Sequence, residues 1–303
     1  MMLDPAQLAA LSAIVRHGSF EGAAAQLNVT PSAISQRIKA FEERMGAILI
    51  YRGTPCTPTD AGTRLARHAD DVTLLETQVL QDIAPDTNRS AARIRIAVNA
   101  DSLATWFVSG LSRNAGTFFE LVIDDQDYST DWLLRGAVSA AITGQAQAAV
   151  GCSSTALGAL RYVATASPAF VARWFDDGVT PQSLAQAPMM NFDAKDNLQH
   201  RWIRKATGEK LTPPAHHLPS THAFVDACLL GLGWGLNPLS IVQRHLDDGT
   251  LVTLMPDCPL DVPLYWQTSR LMAKALEPLS KSIFSAAREQ LVNIPHERVK
   301  QKY

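Results

Sequence analysis

The spacing of apolar and polar residues divides the chain into three parts. Short helical patterns separated by turn signals fill residues 6–59, and one helical pattern then continues without a break from 60 to 83. A polar segment at 85–90 follows, and beyond it strand-like and helix-like patterns alternate to the end. The pattern predicts a helical N-terminal part, a long helix, a linker at 85–90 and an α/β C-terminal part.

The C-terminal alternation of strand and helix favours parallel sheets, arranged here as two small α/β lobes. Ligands on such sheets bind beyond the carboxyl ends of the strands, often against helix N-termini. Strands are predicted at 93–98, 119–123, 137–142, 161–165, 188–192, 233–237 and 264–268, and helices at 102–113, 224–230 and 272–292.

Residues 19–39 carry the most informative pattern. Ser19 is a candidate N-cap, Asn28 begins a tight turn, and Thr30 followed by Pro31 is typical of the start of a second helix. On that helix apolar residues share one face and polar residues the opposite face. The apolar face consists of Ile34, Ile38, Phe41 and Met45, and the polar face of Ser32, Ser35, Gln36 and Lys39.

The polar face has the chemistry that a helix needs in the major groove of DNA. Such a helix needs small side chains where it comes close, hydroxyl or amide groups for base edges, and a cation for phosphates. The three alanines at 23–25 allow the preceding helix to cross close to it. An ordinary helical hairpin with a solvated polar face fits the same pattern, so both interpretations stay open.

Two further features follow the second helix. Two short strands around a turn at 48–59 predict a wing that places Arg52 and Thr57 against backbone phosphates, or simply a surface hairpin. In the long helix, apolar residues recur at near-heptad spacing, which indicates pairing with a second copy or packing on the chain's own body. A dimer would present one recognition helix to each half-site of a palindromic operator. The near-heptad residues are Leu65, Val72, Leu75 and Val79.

Composition limits how the chain can contact nucleic acid. Hydrophobic residues make up 47% of the 303 residues, which excludes wholesale disorder. The 27 Lys and Arg residues against 29 Asp and Glu residues give a net charge of -2. Proteins that coat nucleic acid non-specifically are usually strongly basic, so any contact with DNA must be local.

Common catalytic and metal-binding motifs do not occur in the sequence. The four cysteines are far apart, and His216, His217 and His222 lack metal-ligand spacing. The glycines within 231–235 do not fit GxGxxG, and no GxSxG nucleophile elbow is present. The first residues do not resemble a secretory signal, and no stretch reaches eighteen apolar residues. We therefore expect a cytoplasmic protein with no enzymatic activity, cofactor, metal or membrane contact.

Residues 3–65 resemble the winged helix-turn-helix of LysR-type transcriptional regulators. The matching positions are 20–24, 29–39, Glu42 and 57–62. The resemblance implies a DNA-binding domain at 1–62, a linker and dimerisation helix with a hinge at 63–90, and an effector domain at 91–303. In that domain, which resembles periplasmic binding proteins, lobe I would cover about 91–163 and 267–303 and lobe II about 164–266. The implied DNA-binding residues are Thr30, Pro31, Ser32, Ser35, Gln36, Arg37, Lys39, Arg52 and Thr57.

A narrower resemblance covers most of the chain. The segments 98–107, 167–170, 223–225 and 264–266 are similar to the ArgP branch of the family, also called LysG or IciA. That branch senses lysine and arginine and regulates genes such as the basic amino-acid exporter. The resemblance implies a basic amino acid as effector and control of amino-acid export or metabolism.

An amino-acid effector in a cleft between two lobes needs N–H groups for its carboxylate and acceptors for its ammonium groups. Residues at strand ends and helix starts are the candidates. For a basic side chain we expect a carboxylate, either Asp193 or Asp101, although helix capping explains both without a ligand. The candidate effector residues are Asp101, Ser102, Thr143, Gln145, Asp193, Thr221 and Asn237.

Three functions are consistent with these features. The favoured one is a ligand-responsive transcription factor whose partners are double-stranded operator DNA, a small-molecule effector, RNA polymerase and further copies of itself, as a dimer or tetramer. The second is an architectural or origin-binding DNA protein that no small molecule controls. The third is an enzyme or solute receptor with a fused helical domain, which the missing motifs disfavour.

Overall fold

The computed structural model describes residues 2–83 and 93–293, so the predicted linker at 85–90 lies outside the described residues. The N-terminal part contains α1 (Pro5–His17), α2 (Phe20–Leu27), α3 (Pro31–Met45), β1 (Ile50–Tyr51), β2 (Thr57–Pro58) and α4 (Asp60–Ile83). The next elements are β3 (Arg93–Val98), α5 (Ala100–Ser102), a wider π-type turn (Leu103–Phe107), α6 (Val108–Leu111), β4 (Phe118–Ile123), α7 (Ser129–Leu134), β5 (Ala140–Thr143) and β6 (Cys152–Ala166).

The remaining elements complete the C-terminal part. They are α8 (Pro168–Trp174), α9 (Pro181–Gln186), β7 (Met189–Asn191), α10 (Leu198–Thr207), β8 (Ala215–His217), α11 (Thr221–Leu229), β9 (Gly235–Pro238), α12 (Leu239–Asp247), β10 (Val252–Thr253), β11 (Leu260–Ser269) and α13 (Glu277–Gln290). Helix α13 is shorter than the predicted 272–292, and the predicted helix at 102–113 is instead the continuous segment of α5, the π-type turn and α6.

Local capping fixes the boundaries of the first three helices. The Ser19 hydroxyl accepts the Gly22 amide at 3.0 Å, and the Thr30 hydroxyl accepts the Ala33 amide at 3.2 Å. Asn28 closes α2 in the left-handed conformation, with φ of 53°. These caps produce the helix-turn-helix that the sequence predicts.

The inner face of α3 holds the core of the N-terminal part. Ile34, Ile38 and Phe41 are completely buried, as expected from their spacing. Met45 was also expected on this face, but its side chain is 38% exposed. It lies in the last turn of α3, directly before the left-handed Gly46 that ends the helix.

Helix α4 connects the two parts of the chain. Ala66 and Ala69 are buried in the N-terminal core, whereas Leu74 is buried in the C-terminal core. Two of the four near-heptad residues, Leu65 and Leu75, pack partly against these two cores. Val79 is 55% exposed. Packing on the chain's own body therefore accounts for part of the apolar pattern but does not account for Val79.

The central sheet is mixed, which corrects the expectation of parallel sheets. Its strand order is β10-β6-β11-β5-β3-β4, with β9 also paired to β6. Strand β3 is parallel to β4 and β5, but β11 is antiparallel to both β5 and β6. The long strands β6 and β11 return through the sheet side by side, and an antiparallel pair of this kind carries no helical crossover to signal it in the sequence.

The C-terminal part has two lobes. We call the lobe around β3, β4 and β5 the first lobe, and the lobe around β7, β8, β9 and helices α8–α12 the second lobe. The apolar core runs continuously through both, with Phe107 beside Trp266 and Trp202 packed on Trp234. In the part of the chain that the structure describes, no helix is both long and apolar enough to span a bilayer.

Candidate functional site

The outer face of α3 is exposed as a small polar surface. Ser32, Ser35, Gln36 and Lys39 are all exposed, and the ammonium group of Lys39 lies 3.9 Å from Glu43. At the start of the helix Thr30 and Pro31 are also exposed, while Arg37 is half-buried. The structure thus places seven predicted DNA-binding residues on the first two and a half turns of α3, on or beside one surface.

The hairpin after α3 places the other two predicted residues beside this surface. Strands β1 and β2 pair antiparallel, with Tyr51 opposite Thr57. The guanidinium of Arg52 is exposed, lies 3.7 Å from Glu42 and sits 5.8 Å from the centre of the Phe20 ring. Arg52 is therefore held on the outside of the helix-turn-helix, where its guanidinium is accessible to solvent.

Glu42 is a positioning residue that the sequence analysis matched without assigning it a role. Its carboxylate accepts the backbone amides of Leu49 at 2.8 Å and of Ile50 at 3.3 Å. A charged acceptor on two successive amides is a strong local restraint. It ties the start of β1 to the fourth turn of α3 and so fixes the hairpin relative to the polar face of that helix.

A second candidate site is a cavity of about 280 Å³ between the two lobes. The carboxyl ends of β3 and β4 and the start of α5 form one wall. The loop after β7, the start of α10, the start of α11 and the end of β9 form the other. The volume is slightly below the roughly 300–1,000 Å³ usual for ligand pockets, which fits a ligand as small as one amino acid.

Acidic side chains outnumber basic ones in the lining of this cavity. Within the described part of the chain, the ammonium group of Lys195 lines it together with five carboxyl groups. Those carboxylates belong to Asp101, Asp124, Asp125, Asp193 and Asp196.

Asp101 connects three elements. One carboxylate oxygen accepts the Thr221 hydroxyl at 2.7 Å, and the other accepts the Tyr162 hydroxyl at 2.7 Å. Burial raises the pKa of Asp101, and the two hydroxyl donors oppose that rise only in part. Asp101 does not cap a helix in this arrangement, because its carboxylate is used to bind side chains of β6 and of the second lobe.

Asp124 is the carboxylate whose charge is most firmly held. Burial alone would raise its pKa, but hydrogen bonds and a nearby cation bring the pKa below the ordinary value. The Trp132 indole N–H donates to Oδ2 at 2.9 Å, and the amide of Asp125 donates to Oδ1 at 2.9 Å. The Lys195 ammonium lies 3.4 Å from Oδ1. Asp124 is consequently a fixed anion at neutral pH.

Its neighbour Asp125 behaves in the opposite way. Burial raises the pKa of Asp125 to about 6, and the nearby charges of Asp127, Asp196 and Asp193 add to this, while a hydrogen bond from the Asp127 amide opposes it. Two adjacent carboxylates therefore differ in charge near pH 6. A cation entering the cavity favours the ionised form of Asp125.

The two acidic residues of the second lobe organise their own loop. Asp193 accepts the amides of Lys195 at 2.7 Å and Asp196 at 3.1 Å, which is a turn within the loop and not the helix cap considered from the sequence, because α10 begins only at Leu198. Asp196 accepts the amides of Phe192 at 2.8 Å and Leu198 at 2.9 Å. These bonds hold the loop between β7 and α10 in a single shape against the cavity.

Three buried side-chain oxygens at the cavity have no hydrogen-bond partner within residues 2–83 and 93–293. They are Asn99 Oδ1, Gln199 Oε1 and Asn237 Oδ1, on residues that are 4%, 1% and 1% exposed. A buried acceptor without a partner costs about 1–3 kcal/mol, so such atoms mark places where a ligand or water donates. All three are acceptors, which matches a ligand rich in N–H groups.

The structure brings four of the seven predicted effector residues to the cavity and leaves three outside its lining. Asp101, Asp193, Thr221 and Asn237 line it. The three outside are Ser102, which is completely buried, Thr143, which donates to the Gln145 carbonyl at 3.2 Å, and Gln145, which donates to the Asp127 carbonyl at 3.1 Å.

A buried glutamine explains why the loop after β5 stays away from the cavity. The amide of Gln267 on β11 donates to Thr143 Oγ1 at 3.1 Å and to the carbonyls of Gln145 and Gln147 at 3.0 Å each. Because β11 lies antiparallel beside β5, it holds this loop against the sheet. A purely parallel sheet, as expected from the sequence, would not have placed Gln267 there.

The sequence analysis missed several residues of the cavity, and one signal could have found some of them. Asp124, Asp125 and Gln126 directly follow the predicted strand at 119–123, which is where ligands bind on parallel sheets. Asn99 likewise follows β3. Lys195 and Gln199 carried no such signal, because their position depends on how the lobes face each other.

Metal chemistry has no support in the part of the chain that the structure describes. No group of three or more His, Cys, Asp or Glu side chains there has the geometry to hold a metal ion. His216, His217 and His222 are exposed, and the four cysteines are free thiols.

An exposed recognition helix with a wing, joined by a long helix to two lobes around a polar cavity, defines a DNA-binding regulator with a ligand-binding domain. Comparison with known proteins identifies the family of regulators. The model of the bacterial regulatory helix-turn-helix protein, lysR family, matches residues 5–63, and that of the LysR substrate binding domain matches residues 88–287. The chain belongs to the LysR family of transcriptional regulators, and the family predicted from the sequence is confirmed.

Individual relatives match over nearly the whole chain. The HTH-type transcriptional regulator LysG of Mycobacterium tuberculosis is 40% identical over 285 residues, which is 94% of both chains. The crystal structure of ArgP from Mycobacterium tuberculosis has 40% identity and a TM-score of 0.78, and the match covers 97% of this chain and 100% of that one. Full-length LysG from Corynebacterium glutamicum with bound effector Arg has 34% identity and a TM-score of 0.64, covering 96% and 100%.

Proposed function

We propose that this LysR-type regulator binds operator DNA through α3 and its wing and is controlled by a basic amino acid, arginine or lysine, in the cavity between the lobes. The observation that carries the proposal is the chemistry of the cavity. Among the described residues that line it, five have a carboxylate, three have an amide oxygen without a partner and one has an ammonium group, so the cavity suits a small ligand with net positive charge.

The carboxylate of such a ligand has a place at the start of the helical segment 100–111. Asn99 precedes this segment, and its side chain makes no capping hydrogen bond. The first backbone amides of the helix therefore lack a side-chain acceptor, and Ala100 and Asp101 line the cavity. A helix start with free amides is a suitable partner for a carboxylate.

The positive groups of the ligand have separate acceptors. The unpartnered oxygens of Asn99, Gln199 and Asn237 are available to the α-ammonium group, with Asp101 and Thr221 nearby. Asp124 is the acceptor for the cationic side chain, since its carboxylate is ionised and firmly oriented by Trp132. This replaces the sequence-based expectation of Asp193 or Asp101. The carboxylate of Asp193 is already used by its own loop, and that of Asp101 by Thr221 and Tyr162.

A relative supports the chemical class of the ligand. The Corynebacterium glutamicum LysG structure carries arginine as bound effector and is 34% identical to this chain over 96% of its length. Arginine and lysine share a net charge of +1, a carboxylate and two separated cationic groups. These are the features that the cavity of this chain is built to accept.

Calorimetric titration tests the effector directly. Arginine and lysine are titrated into the full-length protein, into Asp124→Asn and into Asp176→Asn. The Asp124 change removes a charge but keeps an acceptor for Trp132, and should weaken binding about 10- to 100-fold, the range for a charged hydrogen bond. Asp176 is exposed outside the cavity, so its variant controls for the loss of one negative charge. Equal affinities of all three proteins would remove Asp124 from the site, and no heat from wild type would refute the effector.

The regulatory part of the proposal concerns what binding does to DNA. Ligand binding shifts the population of lobe arrangements, and a dimer passes this shift to the spacing or bend of the bound operator. Footprinting and in vitro transcription with and without arginine test it. If saturating arginine left both unchanged, the chain would instead be an architectural DNA-binding protein.

The remaining assignments follow from this role. We propose a dimer or tetramer, contact with RNA polymerase, cytoplasmic action on genes of amino-acid export or metabolism, and no catalysis, because the relatives are transcriptional regulators. The exposed Val79 and Ile83 on α4 give a second copy an apolar surface. We keep the division into 1–62, 63–90 and 91–303, which the two family matches support.

A further inference from the structure

Of the described residues that line the cavity, Lys195 is the one with a cationic side chain, and this side chain reaches from the second lobe to the first. It lies in the loop after β7 of the second lobe, and its ammonium group is 3.4 Å from Asp124 Oδ1 of the first lobe. The same ammonium group lies 4.8 Å from the centre of the Tyr128 ring, also in the first lobe. A carboxylate together with an aromatic face is a binding arrangement for an organic cation.

The two partners differ in how tightly they are held. Asp124 has its two oxygens fixed by Trp132 and by the amide of Asp125, and its side chain is 21% exposed. The backbone amide of Lys195 donates to Asp193. Its side chain, however, is 52% exposed and carries the ammonium group on a flexible four-carbon stem. The carboxylate of Asp124 is therefore held rigidly, whereas the ammonium group of Lys195 can move away while the backbone of its loop stays in place.

We infer that the Lys195 ammonium group occupies a cation-binding site formed by Asp124 and Tyr128, and that the cationic side chain of the effector binds there by displacing it. This inference rests on the proposed function. The exchange replaces one cation by another, so the charge of Asp124 is never left uncompensated. A ligand with a neutral side chain cannot make this exchange, which makes Lys195 a specificity-determining residue. The exchange also breaks a contact that joins the two lobes.

Two other roles for Lys195 predict different results. If Lys195 donated to the carboxylate of the effector, its removal would weaken binding. If the pair with Asp124 were only a solvated surface contact, its removal would leave binding unchanged. Of these three roles, only displacement predicts that the protein binds arginine more tightly once Lys195 is gone, because the competing cation is lost.

The test compares arginine with citrulline, which has nearly the same shape but a neutral side chain. Both are titrated calorimetrically into wild type, Lys195→Met, Lys195→Arg and Lys210→Met. An exposed ion pair and a cation–aromatic contact together correspond to about a three- to tenfold gain in arginine affinity for Lys195→Met. Lys195→Arg keeps the cation and should stay near wild type. Lys210 is exposed outside the cavity and controls for the loss of one positive charge.

The outcomes separate this inference from the proposed function. Tighter arginine binding by Lys195→Met, with citrulline unaffected, supports displacement. Weaker or equal arginine binding by Lys195→Met overturns it while leaving the effector proposal intact. An equal gain in citrulline affinity for Lys195→Met also overturns it, since removal of Lys195 would then favour a ligand with a neutral side chain just as much. If wild type and all variants bind neither ligand, the proposed function fails, and the inference fails with it.

Discussion

The hydroxyl of Thr221 donates to the carboxylate of Asp101 at 2.7 Å and so joins two residues that are 120 positions apart. Asp101 stands at the start of the helix after β3, in the first lobe, and Thr221 at the start of α11, in the second. Both residues line the cavity between the lobes. The bond makes the relative position of the lobes dependent on a buried polar contact.

Replacing Thr221 by valine should destabilise the C-terminal part by about 1–2 kcal/mol. Valine keeps the branched shape but cannot donate, so Asp101 is left with the Tyr162 hydroxyl alone. Urea unfolding of the full-length protein measures the loss. Thr221→Ser retains the hydroxyl and should recover most of the stability. A valine variant as stable as wild type would show that the bond contributes nothing.

The parts of the fold that rest on neighbouring residues could be predicted from the sequence. Ser19 and Thr30 are N-caps as expected, and the alternation at 93–98 corresponds to β3 residue for residue. Each depends on a hydrogen bond or a periodicity that spans only a few residues. The helix-turn-helix was predictable for the same reason.

The parts of the fold that depend on pairing between distant segments could not be predicted from the sequence. Only 161–165 was expected as strand within β6, because its first half contains Ser153, Ser154 and Gly158 and carries no strand signal of its own. That half is strand because β11 pairs with it. The pairing of β11 with β5 then places Gln267 against the loop of Thr143, which keeps Thr143 and Gln145 out of the cavity lining.

Gly62 should be essential for the packing of the wing against α4. A Cβ at this position would lie 2.0 Å from the carbonyl oxygen of Leu49, which is buried main chain and cannot move aside. Helix propensity favours alanine over glycine by about 1 kcal/mol, but overpacking of this severity outweighs it. Gly62→Ala should lose about 2 kcal/mol or more in urea unfolding and weaken operator binding.

Gly53 provides the matched control for this change. It lies in the same hairpin, and its added Cβ would meet only the Pro55 carbonyl at 3.4 Å, an ordinary contact distance. Gly53→Ala should therefore stay within about 0.5 kcal/mol of wild type. Equal effects of both substitutions would contradict the role assigned to the contact between Gly62 and Leu49.

Gln36 and Arg52 should differ in how they affect DNA binding. Gln36 is exposed on the recognition face, and losing one base contact costs about 1–3 kcal/mol on the correct operator. Arg52, in the wing, should contact phosphate, so Arg52→Ala should weaken binding to all sequences and reduce the salt slope by about one. Anisotropy titrations with operator and scrambled DNA at several salt concentrations measure both. Parallel losses on both DNAs for Gln36→Ala would contradict its reading role.

Effector binding should strengthen as pH rises through about 6, where Asp125 ionises. The groups facing Asp125 are Asp127 on its own loop and Asp193 and Asp196 of the second lobe, whose charges disfavour its ionisation. A bound cation favours the ionised form, so arginine affinity should fall about tenfold between pH 7 and pH 5. Calorimetry across this range measures the slope, which Asp125→Asn should flatten and the control Asp176→Asn should leave unchanged.

The same ionisation gives a stability effect of opposite sign in the free protein. The folded-state pKa of Asp125 is raised from 3.8 to about 6, so the protonated carboxyl favours the folded chain. This contribution is fully present below about pH 4 and is lost as pH rises through 6. Relative to Asp125→Asn, wild type should therefore lose stability in urea unfolding between pH 4 and pH 7 and regain it when arginine is present. If the difference in unfolding free energy between the two proteins stayed constant over this range, Asp125 would not couple proton binding to folding. Any pH dependence of effector affinity would then come from another carboxylate of the cavity.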